Sequence, residues 1–432
     1  MTANQPESSP ATRTTRRNFI RKAGTAAAAW TVGAGLAVRP AKARVLGAND
    51  RINFAMIGCG GEGNALLSMV KILKDRGENV EIVAVCDIYR PRLEKTAGKY
   101  NAKKYSNHKE LLADPGIDIV GIATPDHIHG YQVIDAVKAG KDVYCEKPIT
   151  HWRQFELTKR LFHEVSKSDR ILQIGSQYMS DSAWSQAREL IKEGLIGRPV
   201  HAEVSFFRVG DWGERGMPID DPGARPGPDL DWGAFLGDSP KREFDVSRFF
   251  RWRMYWDYAG GPATDLYPHS LSQVLYMLDV KMPSLVVGTG GKLRYEEREV
   301  PDTCNMLVEY PEKISVSMVG TQANDFPGAH PRPPACSPII RGWEGTLTFE
   351  KEEIVVTPVG RGTKQGERVK IRQPFDHVRH IKNLFDCCRT RDKPEYPVDL
   401  AYYTQTPIQM GILSLREGKV ARFDAAAEQI IL

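Results

Sequence analysis

A glycine-rich turn between an apolar segment and an amphipathic one constrains the fold of this chain more than any other feature. Residues 51–57 (RINFAMI) form an apolar run that predicts a buried strand, and residues 64–75 carry apolar side chains at helical spacing. Between them, residues 58–63 read Gly-Cys-Gly-Gly-Glu-Gly, with glycines in the spacing GxGxxG. A strand that turns tightly into a helix opens a parallel βαβ unit, so we expect an α/β domain here.

The spaced glycines of this turn suit a pyrophosphate ligand. Gly58 permits the tight turn, Gly60 lets the backbone approach the ligand, and Gly63 lets helix and strand pack closely. The N-terminus of the following helix would face the negative charge of the ligand. We therefore predict that the turn binds the pyrophosphate of a dinucleotide. The residues assigned to this ligand are Gly58, Gly60, Gly61, Glu62 and Gly63.

A second apolar run, residues 80–86 (VEIVAVC), ends at an acidic residue, Asp87. A carboxylate at this strand end can accept hydrogen bonds from both hydroxyls of an adenine ribose and would repel a 2′-phosphate. The pattern therefore predicts a nicotinamide dinucleotide and favours NAD. NADP stays open, because Arg90 and Arg92 follow closely and could bind that phosphate; the alternative for both arginines is a solvated helix start.

Two further predicted strands bring polar residues to one edge of the same sheet. Residues 118–123 (DIVGIA) lead into Thr124, and residues 141–145 (KDVYC) lead into Glu146-Lys147-Pro148. Strands that alternate with helices through short links predict a doubly wound parallel sheet of Rossmann type. Ligands bind such sheets at the carboxyl ends of the strands, where Asp87, Thr124 and Lys147 would all lie.

The N-terminal segment has the pattern of an export signal. Arg16 and Arg17 precede an apolar residue, residues 24–38 form a short and mildly hydrophobic run, and Ala41-Lys42-Ala43 offers a cleavage site. The segment resembles a twin-arginine signal peptide over residues 1–43, which predicts the twin-arginine export machinery as a partner and a periplasmic or otherwise exported protein. The run is shorter than the ~20 apolar residues that cross a bilayer, so we expect no stable membrane insertion; an uncleaved tether stays open.

Charge separates this segment from the rest of the chain. Residues 1–43 carry a net charge of +6, whereas the whole chain carries +5, so the remainder is close to neutral. Nothing in that remainder indicates nucleic acid or anionic lipid as a partner. It is also longer than one hydrophobic core usually organises. We predict a dinucleotide-binding domain over 50–170 and a substrate-binding and oligomerisation domain over 171–432.

Neither the cysteines nor the histidines form the pattern of a disulfide framework or a metal site. The seven cysteines are odd in number and include no CxxC pair, as suits a protein that folds before export. His127 with His129 and His377 with His380 are closely spaced pairs, but no third ligand accompanies them. We therefore expect buried thiols, structural histidines and no metal.

Alcohol oxidation needs a group that takes the hydroxyl proton as hydride leaves, and histidine titrates in a suitable range. His269 follows Asp265 by four residues, a spacing that places both on one helix face, where the carboxylate can orient and stabilise the imidazolium. Lys147 precedes a proline at a strand end and can donate a hydrogen bond to the same hydroxyl oxygen. The alternative for Lys147 is a solvated turn residue.

These and further motifs resemble the Gfo/Idh/MocA oxidoreductases, the group of glucose-fructose oxidoreductase and inositol dehydrogenase. The similarity extends over about residues 50 to 425. The motifs that carry it are the glycine turn, Asp87, Thr124-Pro125 with His129, Glu146-Lys147-Pro148, Gln173 to Gln177, Gly194 to Gly197, Gly260-Gly261 with Asp265 and His269, and Gly342 to Leu347.

The resemblance implies a fold, a reaction and a set of roles. It implies hydride transfer between a sugar, glycoside or polyol hydroxyl and a nicotinamide cofactor, with Lys147, Asp265 and His269 as the catalytic set. His129 matches a histidine that shapes the nucleotide domain rather than binding metal. The further cofactor contacts that it implies are Thr124, Pro125, His129, Glu146, Lys147 and Gln177.

Two departures from the family pattern keep other functions open. Pro268 precedes His269 and could bend the helix that carries it, and Ser272 stands where many members have an aspartate. Tyr267-Pro268-His269 is also similar to the NAD-dependent α-N-acetylgalactosaminidases, which lack the Glu-Lys-Pro lysine. The alternatives are therefore a glycosidase that oxidises C3 transiently and uses Tyr267 to take the C2 proton, and a nucleotide-binding protein without catalysis.

The second domain reads as α+β, with strands of a large, mostly antiparallel sheet. A sheet this long needs cover, and the family's open face commonly forms an interface, so we expect a homodimer or homotetramer. The predicted strands are 200–208, 284–290, 306–309, 315–319, 346–350 and 354–358, and the predicted helices are 183–193 and 270–278.

Two long loops, 210–228 and 325–338, interrupt this domain, and an aromatic run with arginines, residues 249–256, follows the first. Aromatic faces beside arginines suit a carbohydrate; the alternative is a packed loop core. The candidate substrate contacts are Arg253, Trp256 and Tyr267. Because free NAD is scarce outside the cytoplasm, we also expect the cofactor to be tightly bound and regenerated in place.

Overall fold

The computed structural model describes residues 47, 50–210, 217–326, 337–350, 352–360, 366–373 and 375–432. The predicted twin-arginine signal, residues 1–43, lies outside these ranges, as does Cys336. Within them the six cysteines are buried and free. In the same ranges, no helix combines the length and the apolar character that crossing a membrane requires.

A parallel sheet of six strands forms the N-terminal half of the described chain, and this confirms the Rossmann prediction. The strands are β1 (Ile52–Ile57), β2 (Val80–Cys86), β3 (Lys103–Tyr105), β4 (Ile119–Ile122), β5 (Asp142–Glu146) and β6 (Leu172–Gly175). Their order is β3-β2-β1-β4-β5-β6, the doubly wound arrangement that reverses direction between β1 and β4. The sheet runs to Gly175, past the predicted domain boundary at residue 170.

Helices cover both faces of this sheet. They are α1 (Gly61–Asp75), α2 (Arg90–Tyr100), α3 (His108–Ala113), α4 (Asp126–Lys138) and α5 (Phe155–Ser166). All six residues of β1 are buried: Phe54 and Met56 pack into one apolar cluster, and Ala55 and Ile57 into another. A fully buried Phe, Met or Ile side chain contributes about 1.5–3 kcal/mol, so a strand that is apolar on both faces belongs at the centre of the sheet.

A second sheet of ten strands forms most of the C-terminal half. Its strands are β7 (Pro199–Phe207), β8 (Leu285–Gly291), β9 (Thr303–Tyr310), β10 (Ile314–Thr321), β11 (Ile339–Gly342), β12 (Gly345–Glu350), β13 (Glu353–Pro358), β14 (Glu367–Lys370), β15 (Ala421–Asp424) and β16 (Gln429–Ile431). The order is β14-β13-β12-β11-β7-β10-β9-β8-β15-β16, and β7 with β10 is a parallel pair among antiparallel neighbours. The six predicted strands are present.

Six further helices belong to the C-terminal half of the described chain. They are α6 (Ser182–Lys192), α7 (Trp232–Leu236), α8 (Val246–Phe250), α9 (Pro262–Leu278), α10 (His377–Thr390) and α11 (Val398–Glu417). Helices α9 and α11 contact each other and the ten-stranded sheet. Helix α10 packs against α1 of the first half through Val378, Ile381 and Phe385, so a C-terminal segment completes the core of the nucleotide-binding sheet.

Residues 217–260, which we call the strap, run from the C-terminal half across the end of β2. The backbone N–H of Asp231 donates to the carbonyl of Ile88, and that of Arg90 donates to the carbonyl of Asp229. Tyr89 enters an apolar cluster of the strap, edge-on against Phe249 and Phe250. The strap is therefore fastened to the first half by hydrogen bonds and by aromatic packing.

Candidate active site

A cleft of about 2200 Å³ lies along the carboxyl edge of the parallel sheet. Its walls come from the turns after β1, β2, β4 and β5, and the strap lies opposite. This is the edge at which doubly wound sheets bind their ligands. The cleft brings together most of the residues predicted for the cofactor: Gly58, Gly60, Gly61, Glu62, Asp87, Thr124, Pro125, His129, Glu146 and Lys147.

The glycine turn has the shape of a phosphate cradle. A Cβ at Gly63 would lie 1.9 Å from the carbonyl oxygen of Gly58, and a Cβ at Gly58, whose φ is +98°, would lie 2.4 Å from the carbonyl oxygen of Ala123. A Cβ at Gly61 would meet nothing within 4 Å. Gly58 and Gly63 therefore serve close packing of the backbone, whereas Gly61, the first residue of α1, borders open space at a helix N-terminus that fits a pyrophosphate.

Asp87 is held at the end of β2 by two backbone donors. The N–H of Cys59 donates to one carboxylate oxygen at 2.7 Å, and that of Tyr89 donates to the other at 2.8 Å. Burial raises the pKa of Asp87, while these bonds and the nearby Arg92 lower it. The carboxylate borders the cleft with lone pairs remaining, which suits a ribose diol.

The two arginines that follow Asp87 pair with acids of the strap. Arg92 lies 2.6 Å from the carboxylate of Asp220, and Arg90 lies 2.7 Å from that of Asp229. Arg92 also lies over the ring of Phe250. Both guanidinium groups thus have carboxylate partners within the protein, which favours NAD over a cofactor with a 2′-phosphate.

Three cations surround Asp265 at the inner end of the cleft. Lys147 Nζ lies 2.6 Å from Oδ1, Arg253 Nε lies 3.3 Å from the same oxygen, and an Nη of Arg208 lies 3.6 Å from Oδ2. Burial alone would raise the pKa of Asp265, but Lys147, Arg253 and Arg208 together hold it well below its ordinary value. The carboxylate is ionised, and it joins a lysine of the first half to a helix of the second.

His269 lies one turn beyond Asp265 on α9 and has a different partner. Its Nδ1 lies 2.8 Å from the hydroxyl oxygen of Ser176, which follows β6. Burial and the charge of Lys147 lower the pKa of His269 to about 3, against the opposing charge of Asp265. The imidazole is therefore neutral at neutral pH. The tautomer that donates Nδ1–H to Ser176 leaves the lone pair on Nε2, where it can accept a proton.

This geometry corrects the expectation that Asp265 orients the imidazole. Among the described residues Asp265 bonds to Lys147, and Ser176 bonds to His269. The spacing of four residues correctly places both side chains on one helix, since α9 runs unbroken through Pro268 from Pro262. The concern that Pro268 would interrupt this helix is therefore removed.

The structure places two of the three candidate substrate contacts, Tyr267 and Trp256, away from the cleft lining. Tyr267 is fully buried, and its hydroxyl donates to the carbonyl of Cys304 in the ten-stranded sheet, so it points away from the cleft. Trp256 packs edge-on against Trp152, with the guanidinium of Arg416 over both rings. Of the three candidates, only Arg253 lines the cleft. Phe249, Phe250 and Trp252 of the same aromatic run are buried in the strap cluster, as the alternative of a packed loop core expects, and they also line the cleft.

The loops after β4 and β5 are joined by His129. Its ring lies between the carbonyl oxygens of Pro148 and Thr124, at 2.7 and 2.6 Å, and burial lowers its pKa to about 4.

The other predicted cofactor residues near this loop differ in their surroundings. The Lys147–Pro148 peptide is cis. Burial raises the pKa of Glu146 to about 8, so its carboxyl is mostly protonated at neutral pH. Gln177, by contrast, starts a 3₁₀ turn outside the described lining of the cleft.

The paired histidines bind protein groups. His127 Nε2 lies 2.6 Å from the carbonyl of Phe235 in the strap, and His380 lies between Ser180 and the carbonyl of Ile174. His377 is exposed at the start of α10. In the described part of the chain, no three His, Cys, Asp or Glu side chains are grouped as a metal would require.

Three residues of the site were not assigned from the sequence. Ser176 stands in the quoted Gln173 to Gln177 motif, and Arg208 ends a predicted strand. Asp126 is buried, and its Oδ1 has no hydrogen-bond partner among the described atoms. Burial and the charge of Asp265 raise the pKa of Asp126 to about 7, against the opposing charges of Arg253 and Lys147. The position of Asp126, directly after Thr124-Pro125, was the sequence feature that could have identified it as a site residue.

The doubly wound sheet, its glycine turn and the carboxylate at the end of β2 define an NAD-binding Rossmann protein. The chain belongs to the Gfo/Idh/MocA family of oxidoreductases. Residues 52–176 match the family described as "Oxidoreductase family, NAD-binding Rossmann fold", and residues 232–348 match the "GFO/IDH/MocA C-terminal domain". The predicted family and cofactor are thereby confirmed.

Two curated relatives illustrate the similarity. The scyllo-inositol 2-dehydrogenase (NAD(+)) of Bacillus subtilis is 35% identical over 122 residues, which cover 28% of this chain and 35% of the relative. The levoglucosan dehydrogenase of Pseudarthrobacter phenanthrenivorans is 31% identical over 152 residues, which cover 33% of this chain and 35% of the relative. The chain thus spans about a third of the length of these relatives.

Solved structures share the whole fold at low identity. A levoglucosan dehydrogenase in complex with NADH and levoglucosan has a TM-score of 0.65 at 16% identity, covering 86% of this chain and 99% of that one. The WlbA dehydrogenase from Bordetella pertussis, in complex with NADH and UDP-GlcNAcA, has a TM-score of 0.63 at 19% identity, covering 87% and 99%. These likenesses confirm the two-part architecture.

Proposed function

We propose that this chain is an NAD-dependent oxidoreductase that transfers hydride between a hydroxyl-bearing carbon of a sugar, glycoside or polyol and the nicotinamide ring. The observation that carries the proposal is the 2.6 Å contact between Lys147 and Asp265 at the inner end of the cleft, with a neutral His269 one turn further along α9. Relatives named inositol and levoglucosan dehydrogenases support the substrate class.

The residues of the cleft fit the dinucleotide from one end to the other. The glycine turn and the N-terminus of α1 would hold the pyrophosphate, and Asp87 the adenine ribose. Thr124, Pro125 and Lys147, at the ends of β4 and β5, would border the nicotinamide. Bound NAD supplies the hydride acceptor.

The protein's own groups handle the alcohol. Lys147 donates a hydrogen bond to the reacting hydroxyl oxygen and stabilises negative charge there, and Asp265 holds the ammonium in position. His269 Nε2 accepts the hydroxyl proton, and Ser176 fixes the ring. The C–H bond breaks with its electron pair leaving as hydride, the O–H bond breaks with its proton on the imidazole, and a ketone forms.

The strap supports the further proposal that the cofactor is retained. Five polar contacts of the described residues join it to the segment after β2, among them the Arg92–Asp220 ion pair and the hydroxyl of Tyr89 donating to Asp221 at 3.2 Å. These contacts must separate if the adenosine end is to leave across the strap. Retention would suit the exported location that we propose from the twin-arginine pattern of residues 1–43, with hydride returned to a second substrate in place.

The glycosidase alternative needs a base at the substrate, and the residue predicted for that role does not face the cleft. That reaction needs Tyr267 at the substrate, whereas its hydroxyl donates to the carbonyl of Cys304 inside the second half. The non-catalytic alternative has less support, because Lys147 lines the cleft and bonds to Asp265, one turn before His269 on α9. We also propose a homodimer or homotetramer through the open face of the ten-stranded sheet, where Leu307 is 57% exposed.

Spectroscopy of the purified protein tests the proposed function. We expect dinucleotide to be released on denaturation, and a panel of sugars, polyols and glycosides to produce the near-ultraviolet absorbance band of reduced nicotinamide. Release of phenol from aryl glycosides without net reduction would favour the glycosidase instead. If no compound in the panel alters the spectrum of the NAD-loaded protein, the proposal fails.

A further inference from the structure

The inner end of the cleft carries more positive than negative charge. The two cations nearest to Asp265 are Lys147, whose Nζ lies 2.6 Å from Oδ1, and Arg253, whose Nε lies 3.3 Å from the same oxygen. Two positive charges therefore face one ionised carboxylate. The other acids beside them, Asp126 and Glu146, have pKa values raised to about 7 and about 8 by burial, so they are only partly ionised at neutral pH and offset only part of this charge. An oxidised nicotinamide ring would add a further positive charge.

Arg253 lies where its positive charge can bind an anionic ligand in the cleft. Its guanidinium lies 4.2 Å over the ring of Trp252, which fixes the plane of the group. Nε faces Asp265, while Nη1 has the sulfur of Met217 at 3.6 Å, a weak acceptor. The side chain lines the cleft and is 21% exposed. Arg253 thus lines the cleft, and among the described residues its terminal nitrogens have no strong acceptor of their own.

From this geometry we propose that the substrate of the site carries a carboxylate close to the carbon that is oxidised, and that Arg253 binds this carboxylate through its terminal nitrogens. The inference rests on the proposed function and narrows its substrate class from sugars in general to sugar acids. Arg253 would anchor the acid group while Lys147 donates to the reacting hydroxyl, so two cations fix two points of one molecule.

A carboxylate fits better than a phosphate or a neutral sugar. A planar monoanion matches one guanidinium fork in two parallel hydrogen bonds and offsets one excess charge. A neutral sugar would displace water from Arg253 without supplying an ionic partner, which costs binding energy. A phosphate ester would bring a second negative charge, for which the fork of Arg253 supplies no second cation.

Matched pairs of sugars test the proposal on the NAD-loaded protein. The pairs are glucose with glucuronate and galactose with galacturonate, and glucose 6-phosphate serves as the phosphate arm. We expect kcat/KM for NAD reduction to be roughly 10- to 100-fold higher for each uronate than for its neutral partner, the effect of one charge-assisted hydrogen-bond pair. Glucose 6-phosphate should resemble glucose.

Substitution of Arg253 tests whether this residue causes the preference for uronates. Because Arg253 also contacts Asp265, R253Q can lower all rates, so the measured quantity is the ratio of uronate to neutral sugar. We expect R253Q to bring this ratio close to one, mainly through KM, and R253K to keep part of it. R225Q is the matched control, since Arg225 is an exposed arginine of the strap that bonds to the neighbouring carbonyl of Ala224; its ratio should equal that of the wild type.

The outcomes separate this inference from the proposed function. Equal kcat/KM values for uronates and neutral sugars, a preference for glucose 6-phosphate, or a preference that survives R253Q would overturn the carboxylate assignment while hydride transfer stands. If no sugar is oxidised, the fluorescence of NADH-loaded protein is titrated with glucuronate. A change that R253Q abolishes would support the inference although the proposed reaction fails, and an absent change would overturn both.

Discussion

At the scale of single residues, the charge of Asp265 is set by groups that come from three parts of the chain. Lys147 follows β5, Arg208 follows β7 and Arg253 lies in the strap, and all three lie within 3.6 Å of its carboxylate. Sequence spacing predicted that Asp265 and His269 share a helix face. It could not predict the partner of Asp265, because the cations that reach it are distant in sequence.

The lysine is the residue whose loss should matter most for catalysis. K147M keeps the approximate length of the side chain and removes its charge and hydrogen bond. We predict that hydride transfer falls by about 10²- to 10³-fold, the usual effect of losing one positioned donor, while dinucleotide stays bound. Single-turnover reduction of bound NAD measures this.

K138M is the control for this substitution, because Lys138 lies on α4 with its side chain 52% exposed. It should transfer hydride at the wild-type rate. A K147M protein that reduces NAD as fast as K138M would exclude the assigned role of Lys147.

His380 allows the burial of a histidine to be measured through stability. Burial lowers its pKa to about 4, so the folded protein keeps the ring neutral while the unfolded chain protonates it as the pH falls through about 6.5. The stability that this group contributes is complete above that pH and is lost towards pH 4. We predict that the destabilisation caused by H380Q shrinks by roughly 1.4 kcal/mol per pH unit below 6.5.

Urea unfolding of wild type and H380Q at several pH values measures this trend. H377Q is the matched control for replacing a histidine, because His377 is exposed on the same helix. A difference between wild type and H380Q that stays constant from about pH 7 to about pH 5 would contradict a neutral, buried ring.

At the scale of elements, the glycine turn and the helix that it opens were the most predictable parts. The apolar run of β1 and the spacing of α1 agree closely with the structure because both faces of β1 are buried. Strand β3 was missed because it has three residues and is polar. Helix α10 was missed because its partner, the apolar face of α1, lies in the distant first half.

A pair of glycine substitutions separates packing from ligand binding in this turn. In G63A the new Cβ would lie 1.9 Å from the carbonyl oxygen of Gly58, so strand and helix must separate. We predict a loss of at least about 3 kcal/mol in the free energy of unfolding. In G61A the Cβ meets open space, and stability without cofactor should stay within about 0.5 kcal/mol of the wild type.

Thermal unfolding of the NAD-free proteins measures both effects. Equal melting temperatures for G63A and G61A would show that the turn is not packed as described. Weaker NAD binding by G61A, with its fold intact, would place the ligand beside Gly61.

At the scale of the whole molecule, the strap joins the two halves across the cofactor cleft. The sequence marks loop 210–228 only by its length, and composition could not predict that its Asp220 and Asp221 accept hydrogen bonds from Arg92 and Tyr89 after β2. The aromatic run was open to two interpretations, a carbohydrate surface and a packed loop core, because burial cannot be seen in sequence. Phe249, Phe250 and Trp252 pack in the core that holds the strap and also line the cleft.

The strap also determines the cofactor preference in this account. Asp220 neutralises Arg92, which otherwise could bind a 2′-phosphate. We predict that D220N raises the affinity for NADP relative to NAD by roughly tenfold, the effect of releasing one charged donor. Fluorescence titration with NADH and NADPH measures the ratio.

D279N serves as the control for a lost surface carboxylate, since Asp279 is 70% exposed at the end of α9. It should leave the NADPH to NADH ratio unchanged. If the ratio for D220N equals that of D279N, the pairing of Arg92 with Asp220 does not select the cofactor.

The most direct test of the whole account is a crystal structure of the NADH-loaded protein, read at the position of the nicotinamide C4 atom. The account predicts the pyrophosphate over the N-terminus of α1, with Lys147 Nζ and His269 Nε2 both within about 6 Å of C4, close enough for a substrate carbon between them. A nicotinamide ring that lies more than about 10 Å from either group would contradict the proposed reaction.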